Sequence, residues 1–390
     1  MERRKELADA AEEMQKELFA SRIRELETEY RKPERREEVR KVFAGLFRLR
    51  ERQGGGRAGC LGICYRYGSI RMGTYGLRLV LYGEDFCLDR NPTVCEWRPP
   101  CFFEMFEEDM AVILRKLKSA FPRIYAYEED AVRLRCVEYY LAAVCRLCMD
   151  MEGEILCTEE FRRMERMDGF YVFFGRYRGE GEILYRAGKD APEQEDRESG
   201  REAHRQDREC GAEPETKTET KTEDKTEANT KAEYYVLTSQ EGNSVPRPVN
   251  WYGKLDVRKM NRRDYGELPK HVLLDVKAGA DAVYPDILTD PVLMVSPEAR
   301  QVIKKYEAEM PFLFVVLCDT EGEEAVAYHC PVLTDVEENG ECGEALYRVR
   351  TGKGSEVRIR SDLAESLLAR GAVGLGLKEV ADAERTACRT

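Results

Sequence analysis

The feature that most constrains this chain of 390 residues is a polar segment, Lys189–Glu233, which contains almost no apolar residue. The segment carries 15 acids against 9 bases and includes a short repeat in which threonine alternates with lysine and glutamate. Such a sequence cannot bury enough apolar surface to offset the entropy that is lost on ordering. We therefore predict a disordered acidic linker over residues 189–233, with a folded region on each side.

The overall composition limits the class of protein. Hydrophobic residues make up 42% of the chain, which is enough to build cores in the regions on both sides of the linker. The net charge of −12 argues against direct binding to nucleic acid or to an anionic membrane. No apolar run approaches the ~20 residues that span a bilayer, and the N-terminus lacks the apolar core of an export signal. We predict a cytoplasmic protein whose 14 cysteines are mostly reduced.

The N-terminal half combines helical and strand periodicity. Residues 1–58 predict an amphipathic helical segment of two helices with a break near Pro33, ended by a glycine cluster that begins at Gly54. Residues 59–188 predict an α+β domain of unknown role, with two core-facing helices. Its predicted strands are Cys60–Tyr67 paired with Tyr75–Tyr82, and a closing hairpin of Phe170–Phe174 with Ile183–Tyr185.

The C-terminal region, residues 234–390, also predicts an α+β domain. Ser296 followed by a proline predicts one helix start, and Ser361 predicts the N-cap of a second helix that ends at Gly371. The predicted strands are Tyr234–Thr238, His271–Val276, Phe312–Cys318, Ala325–Leu333, Leu346–Val349 and Leu375–Val380. The fold class is thus two α+β domains joined by a disordered acidic linker, with an N-terminal helical segment.

Signals for catalysis or for a metal are weak. The pair that comes nearest to a nucleophile with a base is His329 with Cys330 or Cys318, but a partly buried strand histidine is the preferred explanation of His329. Cys145 and Cys148 form a Cys-x-x-Cys pair, but this pair lies within a helical pattern and lacks a second pair at zinc-site spacing. We predict no catalytic residue, no metal and no cofactor, so the chain is expected not to be an enzyme.

The charge distribution near the C-terminus is more informative. From position 319 to position 344 the sequence contains nine acids and no lysine or arginine, in two clusters around an apolar run. Ordinary solvated loops would explain this pattern, but so would an anionic surface that attracts a basic partner. The candidate partner-binding residues are Asp319, Glu321, Glu323, Glu324, Asp335, Glu337, Glu338, Glu341 and Glu344.

Residues 234–383 resemble immunity proteins of bacterial polymorphic toxin systems, in particular the group called immunity protein 11. The resemblance rests on an ordered set of apolar and glycine motifs: Tyr284-Pro285-Asp286-Ile287, Leu293-Met294-Val295-Ser296, Pro311-Phe312-Leu313-Phe314, residues 327–335, Ile359-Arg360-Ser361-Asp362-Leu363 and residues 371–380. It implies a cytoplasmic bacterial protein that binds and neutralises a cognate toxin by covering the toxin's active surface. It carries over no catalytic residue.

The leading hypothesis is therefore a non-enzymatic immunity-type protein whose partner is a protein toxin, for example a basic nuclease. The alternative is a two-module adaptor or scaffold that links separate partners through a flexible tether. The sequence leaves the identity of the toxin, the oligomeric state and the role of residues 1–188 open.

Overall fold

The computed structural model has an α+β fold, which confirms the predicted fold class. Most of the predicted linker, residues 189–232, and the last ten residues lie outside the part of the chain that the structure describes. The described residues are 2–54, 56–86, 89, 91–187, 233–249, 251–262, 264–279, 281–319, 324–337, 340, 342–351 and 354–380.

A five-stranded sheet forms the centre of the N-terminal half. Its strands are β1 (Ala58–Tyr65), β2 (Leu77–Tyr82), β3 (Thr93–Trp97), β4 (Arg166–Arg176) and β5 (Gly181–Arg186). Their order in the sheet is β3-β2-β1-β4-β5, with β1 antiparallel to β2 and parallel to β4. Both predicted hairpin pairings, β1 with β2 and β4 with β5, are confirmed.

Helices cover one face of this sheet, and their buried side chains share one hydrophobic core with it. The helices are α1 (Glu2–Tyr30), α2 (Pro33–Gln53), α3 (Tyr67–Arg71), α4 (Phe102–Ala120), α5 (Ala126–Asp150), α6 (Glu152–Leu156) and α7 (Glu159–Arg163). Pro33 is the first residue of α2, where its missing N–H is not needed. Gly54 ends α2 in the left-handed conformation, as the glycine cluster predicts.

One buried carboxylate joins three of these helices. Asp109 on α4 accepts hydrogen bonds from the Tyr140 hydroxyl on α5 at 2.7 Å and from Nε of Arg22 on α1 at 3.1 Å. The side-chain amide of Gln15, also on α1, approaches the same carboxylate at 3.3 Å. Because the carboxylate is buried, these bonds replace the water that it loses on folding. The long first helix is thereby fixed to the core by a polar contact as well as by apolar packing.

The C-terminal half contains two sheets. The strands are β6 (Tyr234–Ser239), β7 (Arg247–Pro248), β8 (His271–Lys277), β9 (Ile287–Leu288), β10 (Met294–Val295), β11 (Phe312–Asp319), β12 (Glu324–Pro331), β13 (Asp335–Glu337), β14 (Leu346–Thr351), β15 (Gly354–Arg360) and β16 (Leu375–Glu379). A six-stranded sheet has the order β7-β8-β11-β12-β10-β9, and a five-stranded sheet has the order β13-β14-β15-β6-β16. Helices α8 (Pro297–Tyr306) and α9 (Ser361–Ala369) contribute to a core that includes residues of both sheets.

The starts of these two helices differ in how well the sequence predicts them. Ser296 caps α8 as expected, because its side chain accepts a hydrogen bond from the Ala299 amide. The predicted N-cap at Ser361 is wrong, since Ser361 is already helical and Arg360 precedes the helix in an extended conformation. The physical reason is that β15 stays paired with β6 through Arg360 and the helix begins at the next residue, so the change from strand to helix falls one residue earlier than a capping Ser361 requires.

The two halves of the chain meet at a buried ionic contact centred on Arg66. This guanidinium, 3% exposed, donates to Glu233 at 2.6 Å, to Glu96 at 2.5 Å and to the hydroxyl of Tyr235 at 3.0 Å. Arg78 donates to the same Glu233 carboxylate at 2.9 Å. Burial by itself would lower the pKa of Arg66, but the negative charge of Glu233 and its neighbours raises it. Glu233, which the sequence assigns to the linker, is therefore a structural contact.

A second buried group, Glu365 on α9, completes this junction. Its two carboxylate oxygens accept hydrogen bonds from the backbone amides of Tyr67 and Gly68, each at 2.7 Å. A Cβ atom at position 68 would lie 2.9 Å from one of these oxygens, so a larger residue there would force the carboxylate to shift. Burial raises the pKa of Glu365 to about 6, although the two amides oppose this shift. The junction thus contains a carboxyl group that titrates just below neutral pH.

We predict that Asp109→Ala lowers the free energy of unfolding by about 3 kcal/mol, because it leaves the Tyr140 hydroxyl and the Arg22 guanidinium without their buried acceptor. Urea unfolding measures this loss. The matched control is Glu108→Ala on the same helix, whose side chain is 65% exposed and also pairs with Arg22. The control should lose about 1 kcal/mol or less. Equal losses for the two variants would contradict the role assigned to Asp109.

We predict that Glu365 makes the stability of the chain depend on pH. Its pKa in the folded chain is about 6, above the ordinary value of 4.5, so the folded state binds the proton more tightly than the unfolded state. The stabilisation is therefore complete below pH 4.5 and is lost as the pH rises through 6. Relative to Glu365→Gln, the wild-type chain should lose about 2 kcal/mol between these limits.

Urea unfolding of both chains across this pH range tests the effect of Glu365. Other groups titrate identically in the two chains, so the difference between their stabilities isolates position 365. A difference that stays constant with pH would show that Glu365 does not titrate at the junction.

Candidate partner-binding surface

The six-stranded sheet of the C-terminal half carries an open apolar surface. Side chains alternate along β8 and β11, so one face of the sheet presents Leu273 beside Val316 and His271 beside Phe314. Leu273 is 58% exposed and Phe314 is 40% exposed, whereas their sequence neighbours on the opposite face are buried. On β12, Ala327 and His329 lie opposite Val316 and Phe314. We call the set Leu273, Phe314, Val316 and Ala327 the open face.

The opposite face of the same sheet is covered. Its buried side chains, including Leu274, Val315 and Tyr328, form a core with Leu255 and Met260 from the segment that connects β7 to β8. This segment has little regular structure beyond two short 3-10 turns, Val257–Lys259 and Tyr265–Glu267. The sheet therefore has one covered face and one face on which the exposed side chains of Leu273 and Phe314 are diagonal neighbours on adjacent strands. Adjacent exposed apolar side chains of this size are typical of binding surfaces.

Helix α8 borders the open face on one side. Arg300 and Lys304 of this helix lie over the ring of Phe312, with the Arg300 guanidinium carbon 5.4 Å from the ring centroid. The ring of His329 lies between this border and the open face, with its centroid 5.4 Å from that of Phe314. Burial, together with the charge of Arg300, lowers the pKa of His329. The open face is thus an apolar strip with a basic rim along α8.

The structure disperses the acids that the sequence groups together. Asp319 is buried, and Asp335 pairs with Arg348 at 3.3 Å and with Arg350 at 2.7 Å. Glu344 accepts a hydrogen bond from the Thr334 hydroxyl and lies 3.6 Å from Arg262. Glu324 and Glu337 are exposed, and neither forms an ion pair within the described residues. The other four candidates, Glu321, Glu323, Glu338 and Glu341, lie outside the described residues.

The histidine and cysteine groups weighed for catalysis do not come together. His329 lies on the open side of β12, whereas the Cys330 side chain points into the core, where burial raises its pKa to about 12. His329 pairs with Phe314, so Cys318 lies four residues farther along β11, or about 13 Å away. Cys145 and Cys148 are buried on α5. No group of three or more potential metal ligands occurs in the part of the chain that the structure describes.

Within the same described ranges, no helix is both long enough and apolar enough to cross a membrane. Comparisons of the chain with protein-family models, with curated proteins and with solved structures gave no match. The resemblance of residues 234–383 to immunity proteins therefore stays a prediction. The open face is the structural feature that bears on function.

The open face cannot be recognised from the strand patterns of the sequence. The run from Phe312 to Cys318 is apolar at every position, and so are the central positions of His271–Val276, as expected for strands buried on both faces. Leu273 and Phe314 are apolar side chains in excess of those that the core holds, because their neighbours in each strand already fill it. That excess becomes visible only when the other layers of the domain have been placed.

Proposed function

We propose that this chain is a cytoplasmic, non-enzymatic binding protein that captures a protein partner on the open face. The observation that supports the proposal is the exposure of Leu273 and Phe314 next to Val316 on a rigid sheet whose other face is already packed. Burial of such side chains against a partner yields about 25 cal/mol for each Å² of apolar area removed from water. A sheet surface also holds its side chains in place before binding, which reduces the entropy lost on association.

The partner that fits this proposal best is a toxin of the polymorphic type, as the resemblance of residues 234–383 implies. The mechanism is occlusion, in which the bound sheet covers the active surface of the toxin and no chemical step takes place. The exposed acids Glu324 and Glu337 are available for attraction to a basic toxin surface, whereas Asp335 and Glu344 are engaged within the chain.

The adaptor hypothesis is less well supported. It requires two modules that move independently, whereas Arg66, Glu233 and Glu365 join the halves through buried hydrogen bonds. Such groups are costly to leave unpaired, so separating the halves would carry a large penalty in free energy. We therefore favour a protein whose two halves stay together and whose principal binding surface is the open face.

We predict that Leu273→Asp combined with Phe314→Asp strongly weakens partner binding. Charges placed at the centre of an apolar interface should cost about 2 kcal/mol or more, which corresponds to about thirtyfold in Kd. The measurement is co-expression with toxin domains encoded beside this gene, scored by survival of the host and by the Kd of the purified pair. The matched control is Ile183→Asp on β5, which is 48% exposed and lies in the other half.

The control variant should protect the host as well as the wild-type chain does. Retained protection by the double variant, with thermal unfolding unchanged, would rule out the open face as the binding surface. A chain that neither binds nor protects against any encoded toxin would overturn the proposed function as a whole.

We predict a separate, kinetic effect for the acids. Charge reversal at Glu324 and Glu337 should slow association and make it less sensitive to salt, because exposed charges act mainly through long-range steering. Stopped-flow association rates at low and high salt measure this effect. Reversal at Glu321, Glu323 and Glu338 extends the test to positions outside the described residues. An unchanged association rate would show that these acids do not steer association.

A further inference from the structure

A basic cleft lies where the two halves of the chain adjoin. Its volume is about 770 Å³, and it is lined by Arg123 from the loop between α4 and α5, by residues 242–245, by residues 247–249 and by Lys277. A volume of this size falls within the range of about 300–1,000 Å³ that is usual for binding clefts. Three cationic side chains line it, while the lining residues include no acid. This charge imbalance is the opposite of the net charge of the chain.

Two of these cations are placed side by side by the sheet itself. Arg247 on β7 and Lys277 on β8 are directly opposite each other in the antiparallel ladder, so their side chains share one face. Like charges in this position destabilise a strand pair. Both side chains are exposed, and neither forms an ion pair in the described parts of the chain. Arg123, in contrast, pairs with Asp281 at 2.6 Å. An anionic ligand would relieve the unfavourable pair.

The shape of the cleft indicates which anion it accepts. A phosphate site usually gathers converging arginines or a helix N-terminus around one point. Here no lining residue belongs to a helix, and Arg123 is already paired with Asp281, so only Arg247 and Lys277 lie side by side without an ion pair in the described residues. The apolar side chains of Val245, Pro248 and Val249 adjoin them, and Val249 is 52% exposed. Such an arrangement suits an extended peptide that carries both carboxylates and apolar side chains on one face. Residues two apart in a strand face the same way, so a carboxylate and an apolar side chain at such positions can contact the cations and Val249 together.

The cleft continues the open face. Leu273, Asp275 and Lys277 follow one another along the same side of β8, and the Val249 amide donates to the Asp275 carbonyl at 2.9 Å. We propose that the basic cleft binds an acidic, partly apolar segment of the protein that docks on the open face. This inference rests on the proposed function, because it names a second contact of the same partner. It gives that partner an acidic extension as well as an apolar docking surface.

The test uses the full chain and a fluorescently labelled peptide in which pairs of glutamates alternate with pairs of leucines, so that each face of the extended peptide carries both side chains. Anisotropy titration should show salt-sensitive binding, and Arg247→Glu with Lys277→Glu should weaken it about tenfold or more at low salt. The charge-matched control is Arg24→Glu on α1 with Arg31→Glu in the turn that follows α1, two exposed positions outside the cleft. This control leaves the affinity unchanged if the cleft, and not the net charge, is responsible.

A second peptide, with lysine in place of each glutamate, separates the possible outcomes. Preference for the lysine peptide, or equal weakening by both charge-reversal pairs, would overturn the cleft as an acidic-segment site. Inorganic phosphate that competes fully at millimolar concentration would also overturn it, in favour of a simple anion site. The double aspartate variant at 273 and 314 keeps the cleft, so it should still bind the glutamate peptide even if it fails to capture a toxin. The inference and the proposed function can therefore fail separately.

Discussion

The relative placement of the two halves of this protein depends on how the carboxylate of Glu365 is satisfied. A buried carboxylate is costly unless hydrogen-bond donors replace its water, and the donors here are backbone amides of the other half of the chain. The cationic side of the same junction is Arg66, which holds Glu233 and Tyr235. Because each half supplies groups that the other half needs, the two halves adopt one relative arrangement. The basic cleft exists only because this arrangement places Arg123 near residues 242–249.

The C-terminal half shows how a mixed sheet acquires a binding face. Each strand supplies alternate side chains to two faces, but the connection between β7 and β8 covers one face only. Helix α8 reaches part of the other face, as its contacts with Phe312 show, and leaves the area around Leu273 and Phe314 exposed. The result is an apolar strip bordered by cations along α8 and continued by cations at the end of β8. An acidic chain can therefore present a basic, apolar surface locally, which its net charge does not indicate.

The structure also weakens the hypothesis that the acids of residues 319–344 form a strongly negative binding surface. Nine acids without a base over residues 319–344 suggest a strongly negative surface. In the folded chain their partners come from distant parts of the sequence: Asp335 pairs with Arg348 and Arg350, and Glu344 lies near Arg262. Linear charge counts overlook this neutralisation, because strands separated along the chain bring opposite charges together. The steering role of the remaining exposed acids is correspondingly smaller than the sequence indicates.

The sequence by itself determined the α+β class, the two long N-terminal helices, the hairpin pairings and most of the C-terminal strands. Periodicity, proline and glycine act within a few residues, so these features can be recognised locally. Tertiary structure decided the rest. Ser361 begins a helix instead of capping it, and Glu233 forms a buried contact with Arg66. Asp335 pairs with Arg348, and Glu344 lies near Arg262. Tertiary structure also decided that Leu273 and Phe314 are exposed. A strand pattern states that side chains alternate, but only the packing of the other layers decides which of the two faces is covered.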